Sequence, residues 1–260
     1  MRPIVTLVRV LGMFLLIAVF LAHMSIMWLF LRDRWSRVRW SNRLLGYYAE
    51  IGLWITGVKV NPIGLEHLQH IRGGLFVGNH VGYTDVLCIS SQAATCFVTS
   101  QEVRRAPVLG QVCQLAGCLF VERRNKQNIM NEIGEIRDGL QVGLHVAIFP
   151  EATSTNGEAI LRFRKPLFKS AIDSGRPVIP FCVNYRTVGG KPITKKNRDS
   201  VFWYGDMDFL PHLWELCGSG GVTADLHFLK PIETELKMDL TELTERAQAA
   251  VESVFTPVRD

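Results

Sequence analysis

In the stretch LFVGNHVGYTDVLC, residues 75–88, a histidine and a carboxylate stand five residues apart. An imidazole can take a proton at neutral pH. A carboxylate on one ring nitrogen fixes the tautomer and makes the other nitrogen the base. The spacing constrains this pair. On a straight helix, positions five apart differ by about 140° around the axis. His80 and Asp85 therefore meet only if the chain bends between them, which Gly82 permits. No serine sits in a G-x-S-x-G elbow and no cysteine lies within the loop. Such a pair suits activation of a substrate hydroxyl rather than one of the enzyme's own. The plainer alternative is a polar strand end at His80 and a helix N-cap at Asp85.

The surrounding pattern supplies a scaffold. Short apolar runs read as strands over 58–64 (an edge strand stopped by Pro62), 74–79, 95–100, 118–122, 144–150, 177–185, 201–205 and 222–232. Helices are predicted over 84–93, 106–117, 126–143 and 168–175, and a last one from Asp239. The stripe Ile129, Ile133, Ile136, Leu140 marks one amphipathic face. Residues 186–200 read as a long polar surface loop. Alternation of this kind predicts an α/β fold with one central sheet. A residue just past the C-terminal end of a buried strand, as His80 is, stands in the crevice where such folds place their chemistry.

From Val10 to Leu31, 22 residues carry no Asp, Glu, Lys or Arg. As a helix they extend roughly 33 Å, about the hydrocarbon thickness. Arg32, Arg34, Arg37, Arg39 and Arg43 follow, interleaved with Trp35 and Trp40. The basic excess after the run predicts a spanning helix with the rest of the chain on the cytoplasmic face. The rival is a monotopic hairpin, with residues 44–58 as a second apolar helix. Residues 1–58 are thus expected to be an N-terminal membrane-anchor segment, and 59–260 the α/β domain. A net charge of +5 is too mild for a nucleic-acid binder, and a membrane interface accounts for the arginines. The six cysteines form no C-x-x-C pair, and no His/Cys/Asp spacing implies a metal.

Four ordered segments resemble the motifs of the glycerolipid and lysophospholipid acyltransferases. N-H-x-x-x-x-D is matched by Asn79, His80 and Asp85. G-x-x-F-x-x-R is matched by Gly117, Phe120 and Arg123. F-P-E-G-T-R is matched in part by Phe149, Pro150, Glu151 and Thr153. An apolar V-x-P strand is matched by Val178 and Pro180. The resemblance covers roughly residues 60 to 185. It implies a glycerol-3-phosphate acyltransferase-like α/β fold with a single mixed central sheet flanked by helices. It also implies a membrane-bound O-acyltransferase of phospholipid biosynthesis or remodelling. His80, oriented by Asp85, would deprotonate the free hydroxyl of a lysolipid, which attacks an acyl-CoA or acyl carrier protein thioester without an acyl-enzyme. These donors are co-substrates, and no cofactor is implied.

The same resemblance implies that Arg123, Glu151 and Thr153 bind the acceptor, with Arg123 on its phosphate. A carboxylate at a strand end can equally serve as an acceptor of backbone N–H bonds, and both readings of Glu151 stand. Three positions depart from phosphatidate-forming members: Ala152 replaces Gly, Ser154 replaces Arg, and Ser100 replaces Lys. Two lost cations favour an acceptor less charged than a phosphomonoester, such as another lysophospholipid or lyso-ornithine lipid. Arg162, Arg164 and Lys165 could restore the charge. A thioester or lipid hydrolase and a non-enzymatic lipid-binding scaffold are the remaining alternatives.

Overall fold

A computed structural model describes residues 2–122 and 129–260. Two long helices come first, α1 (Arg2–Phe30) and α2 (Arg34–Thr56). Asp33 caps α2 by accepting the Ser36 N–H, and Gly57, at φ 79°, ends it. Then follow β1 (Val58–Ile63), β2 (Gly74–Gly78), α3 (Tyr83–Gln92), β3 (Thr95–Ser100), α4 (Gln101–Arg105), α5 (Leu109–Leu115), β4 (Leu119–Val121), α6 (Ile129–Gln141) and β5 (His145–Ile148). The chain closes with α7 (Lys169–Ser174), β6 (Val178–Val188), β7 (Lys191–Pro192), α8 (Phe209–Gly218), β8 (Val222–Phe228) and α9 (Leu240–Glu252).

The strands form one mixed sheet in the order β1-β8-β6-β2-β5-β3-β4, with β7 paired to β6 as a hairpin. Strands β6, β2, β5, β3 and β4 are mutually parallel. β8 runs against β6, and β1 runs with β8. Side chains alternate across the pleat, so each strand feeds two cores. Phe76 of β2 and Ala147 of β5 pack on one face with Phe20, Met24, Leu45 and Leu53 of α1 and α2. Leu75, Val77, Val146 and Ile148 pack on the other with Ile136, Leu140, Leu243 and Val251 of α6 and α9. The result is a helix–sheet–helix sandwich, and the expected α/β fold with a single mixed sheet is what the chain adopts.

Pro180 sits inside central strand β6 at no cost to the ladder. Val178 exchanges hydrogen bonds with Ile232, and the Pro180 carbonyl accepts the Leu229 N–H at 2.8 Å. Alternate residues therefore point away from β2, and the missing N–H of Pro180 falls on the side where β8 has already ended.

Four expectations change. The run 201–205 forms no strand: Val201 and Phe202 are buried, but they pack beneath the His80 loop without a sheet partner. The predicted loop 186–200 begins with the end of β6 and the short β7. Helix 106–117 is preceded by a separate turn, α4, capped by Ser100, whose hydroxyl accepts the Val103 N–H at 3.3 Å. The Arg/Trp segment and the apolar run 44–58 are one helix, α2. The first three residues of the predicted helix 126–143 lie outside the described residues, as does Arg123.

Candidate active site

β2 and β5 are adjacent and parallel, so their C-terminal ends deliver Asn79-His80 and Phe149-Pro150-Glu151 side by side. Asn79 is 2 % exposed and extends the sheet with its side chain. Its Nδ2 donates to the Val183 carbonyl at 2.9 Å and its Oδ1 accepts the Val183 N–H at 2.8 Å. The strand end is thereby fixed to β6 just before the loop.

The bend required by the spacing is present. His80 Nδ1 lies 2.8 Å from Asp85 Oδ2. Asp85 is fully buried at the start of α3, where the N–H groups of Val81 (2.7 Å) and Gly82 (3.1 Å) also donate to Oδ2. The N-cap reading of Asp85 is corrected: Gly82 occupies the N-cap of α3, and Asp85, the third helical residue, reaches back to the Gly82 N–H while it holds the imidazole. Its other oxygen, Oδ1, accepts from the Tyr185 hydroxyl at 2.8 Å, and Thr84 Oγ1 stands 2.7 Å from that hydroxyl. Burial, with the Asp85 carboxylate beside it, pushes the Tyr185 phenol well up and keeps it a donor. With a proton on Nδ1, the His80 ring presents a free Nε2 from a side chain that is 21 % exposed.

Phe149 stacks on that ring with centroids 3.9 Å apart and planes 18° from parallel. Glu151 holds the backbone beneath it. Its Oε1 accepts the His80 N–H at 2.9 Å and its Oε2 accepts the Leu161 N–H at 2.8 Å. The His80 carbonyl in turn accepts the Thr155 N–H at 2.8 Å. Glu151 is 3 % exposed, and burial pushes its carboxyl up to about 7 despite the two N–H donors that pull it down. Of its two readings, this geometry displays the backbone acceptor.

The remaining motif residues lie further out. Thr153 is on the exposed surface of the same loop, its hydroxyl donating to the Ser154 carbonyl at 3.3 Å. Gly117 precedes β4 and Phe120 lies within it, three strands from β2, or about 14 Å at the usual strand spacing. Gly117, at φ 79°, brings the α5–β4 turn against α2, where a Cβ would sit 3.1 Å from Val38 Cα. Phe120 lines a cleft of about 580 Å³ with Arg32, Arg37 and Arg104, and the Arg104 guanidinium lies over its ring. Of the downstream cations, Arg164 lines a smaller cleft of about 150 Å³ beside Phe149 and Ala152, while Lys165 turns away to Thr241. Tyr185 carries no sequence signal; its role comes from a contact 100 residues along the chain. Among the described residues, no group of three His, Cys, Asp or Glu side chains could hold a metal. Cys88, one turn beyond Asp85, is fully buried, which pushes its thiol up and leaves it unsuited to attack.

A sheet crevice that presents a carboxylate-held imidazole, with no nucleophile of its own among these residues, has the geometry of a general-base site. The chain belongs to the acyltransferase family, whose model, described as Acyltransferase, matches residues 59–184, and it is an O-acyltransferase. It is 27 % identical to the lyso-ornithine lipid O-acyltransferase of Brucella abortus, over 83 % of this chain and 84 % of that one. It is 28 % identical to the 1-acyl-sn-glycerol-3-phosphate acyltransferase of Neisseria gonorrhoeae, over 82 % of each. Its fold matches the crystal structure of the 1-acyl-sn-glycerophosphate acyltransferase of Thermotoga maritima with a TM-score of 0.68, over 98 % of this chain and 96 % of that one, at 18 % identity.

Proposed function

We propose that this acyltransferase moves a fatty acyl group from an acyl-CoA or acyl carrier protein thioester to the free hydroxyl of a lysolipid. The observation that carries the reading is the His80–Asp85 pair, with Nδ1 held at 2.8 Å on a side chain that is 21 % exposed. His80 Nε2 takes the proton of the hydroxyl as its oxygen attacks the thioester carbon. Asp85 stabilises the imidazolium that forms. The thiolate leaves readily, and no acyl-enzyme is required.

Acceptor choice turns on charge. The motifs shared with phosphatidate-forming enzymes favour a lysophospholipid, with Arg123 as the expected phosphate partner. Lyso-ornithine lipid is the second acceptor, and two observations favour it. Ser100, where those enzymes carry Lys, is spent as the cap of α4. The loop after Glu151 offers Ala152 and Ser154 in place of Gly and Arg.

The chain meets the membrane through α1 and α2. Residues Pro3–Phe30 are long and apolar enough to cross it. Yet Phe20 and Met24 are buried in the core shared with the sheet, and α1 packs on α2 and α8. Exposed apolar side chains run the whole length of α1, from Ile4 to Phe30, and continue on α2 at Tyr47, Ile51 and Trp54. A helix with one side held by protein and the other exposed along its full length supports an anchor lying in one leaflet. The catalytic sheet would then stand on the cytoplasmic face.

The test is transfer of labelled acyl groups by purified protein to a panel containing lysophosphatidic acid, other lysophospholipids and lyso-ornithine lipid, with each donor. One or more acceptors gain the label, and His80→Ala abolishes transfer while the fold survives. Retained turnover in that variant overturns the assigned base. Free fatty acid released at a rate that lysolipid does not diminish would mark a hydrolase instead.

A further inference from the structure

At the end of the sheet opposite His80, where β5 begins, lies a further cleft of about 490 Å³. Arg39, Arg43, Arg72, Asn42 and His145 line it, and no acidic side chain does. Arg39 spends one N–H on the Val142 carbonyl at 2.7 Å, and Arg43 stacks over Trp40. All three arginines are exposed. Three guanidinium groups line the cleft with no carboxylate among its lining, Asp33 acting on Arg39 from outside it, and an anion relieves their mutual repulsion.

Two buried polar atoms among the lining residues await a partner. Asn42 is 2 % exposed; it gives Nδ2 to the Ala116 carbonyl at 2.8 Å, while its Oδ1 makes no hydrogen bond. His145 Nδ1 is also unpaired, and burial pushes the ring down to about 4, so it is neutral at pH 7. A buried acceptor and a neutral imidazole beside three cations fit a ligand that is anionic yet carries its own donor. Sulfate-like ions supply only the first part. A phosphodiester with a hydroxyl or ammonium group on its far side supplies both.

Placement names the source. At 100° per residue, Trp40, Tyr47, Ile51 and Trp54 fall within about 60° on α2, and Arg43 falls only about 20° beyond them. The cleft thus opens at the flank of the apolar stripe that faces the membrane in the reading above, on which this argument rests. We propose that Arg39, Arg43 and Arg72 bind the phosphodiester of a bilayer glycerophospholipid, with Asn42 and His145 receiving its polar headgroup. The site is separate from the acceptor's, because residues 142–145 precede β5 whereas Phe149 and Glu151 follow it. It would tether the enzyme so that both ends of the sheet rest at headgroup level.

The experiment uses the full chain with phosphatidylcholine vesicles, with or without phosphatidylglycerol. Arg72→Gln, remote from the apolar stripe, weakens binding to the doped vesicles about five-fold, and Arg39→Gln/Arg43→Gln/Arg72→Gln weakens it further. Soluble glycerophosphoglycerol competes, while acyl transfer in detergent stays at the wild-type level, which also shows that the variants fold. An equal loss from Lys191→Gln/Lys196→Gln, on a distant hairpin, overturns the site in favour of diffuse charge. Competition by inorganic phosphate at the same concentration as the glycerophosphodiester overturns it in favour of free phosphate. Absence of acyl transfer by the wild-type chain would instead count against the enzymatic reading, independently of vesicle binding.

Discussion

Asp85→Asn separates the charge of the site from its hydrogen bonds. The Asp85 carboxylate has three donors on Oδ2 (His80 Nδ1, Val81 N and Gly82 N) and one on Oδ1, from Tyr185. An asparagine must put its carbonyl where three donors converge, since its amide there would meet two backbone N–H groups. Its NH2 then faces the Tyr185 hydroxyl, which can turn its proton to Thr84 Oγ1, 2.7 Å away, and accept. Every hydrogen bond is kept, including the one that fixes the His80 tautomer, so stability changes by less than about 1 kcal/mol. What is lost is the negative charge beside the imidazolium formed during transfer. At a charge separation of ~4 Å and an effective dielectric of about 20, that charge is worth about 4 kcal/mol. The expected fall in kcat is about 10³-fold. Acyl-transfer kinetics and thermal unfolding of the same preparation decide the matter. A loss of under ten-fold in a folded variant refutes the electrostatic role of Asp85. A collapse in Tm refutes the hydrogen-bond accounting.

Legibility of this site in the sequence followed the distance over which each contact acts. His80 and Asp85 are local, and their spacing with Gly82 between them was enough to require a bend. Tyr185 holds the same carboxylate from 100 residues away, and an isolated tyrosine in an apolar strand announces nothing. Glu151 was legible as a residue at a strand end, but only the His80 and Leu161 amides show what its two oxygens meet. The sheet was legible because buried parallel strands are continuous apolar runs bounded by Gly and Pro. The same logic over-reached at 201–205, because an apolar run reports burial and not pairing. α8 is illegible for the opposite reason: Pro211 in its first turn reads as a breaker, although a first-turn proline costs a helix little. α2 reads as two pieces because its Arg/Trp half buries a mixed face, Val38, Ser41 and Asn42, with no run of apolar side chains to mark it.

Two further perturbations address the loop that carries Glu151. Burial holds the Glu151 carboxyl at about 7, against 4.5 for an ordinary one. Between these values the folded chain keeps a proton that the unfolded chain has lost. The contribution is fully present below about 4.5 and is lost as pH rises through about 7. His145, held near 4, acts oppositely, its contribution falling away as pH drops below 6.5. Comparing wild type with Glu151→Gln cancels His145. The stability excess of wild type over the variant should therefore shrink from pH 5 to 7.5 in denaturant unfolding, and a constant difference would contradict the assignment. Ala152→Gly tests strain at the adjoining position. Ala152 occupies φ 61°, the left-handed region, which costs a residue with a Cβ about 1–2 kcal/mol. Glycine removes that cost but loses about 0.5–1 kcal/mol of chain entropy on folding. The balance favours glycine by about 0–1.5 kcal/mol, which raises Tm by up to about 6 °C in a chain of this size. Because the substitution leaves both Glu151 hydrogen bonds in place, acyl transfer should be unchanged. A fall in Tm would mean that the Ala152 methyl, beside Arg164 in the small cleft, stabilises the loop by more than its backbone strain costs.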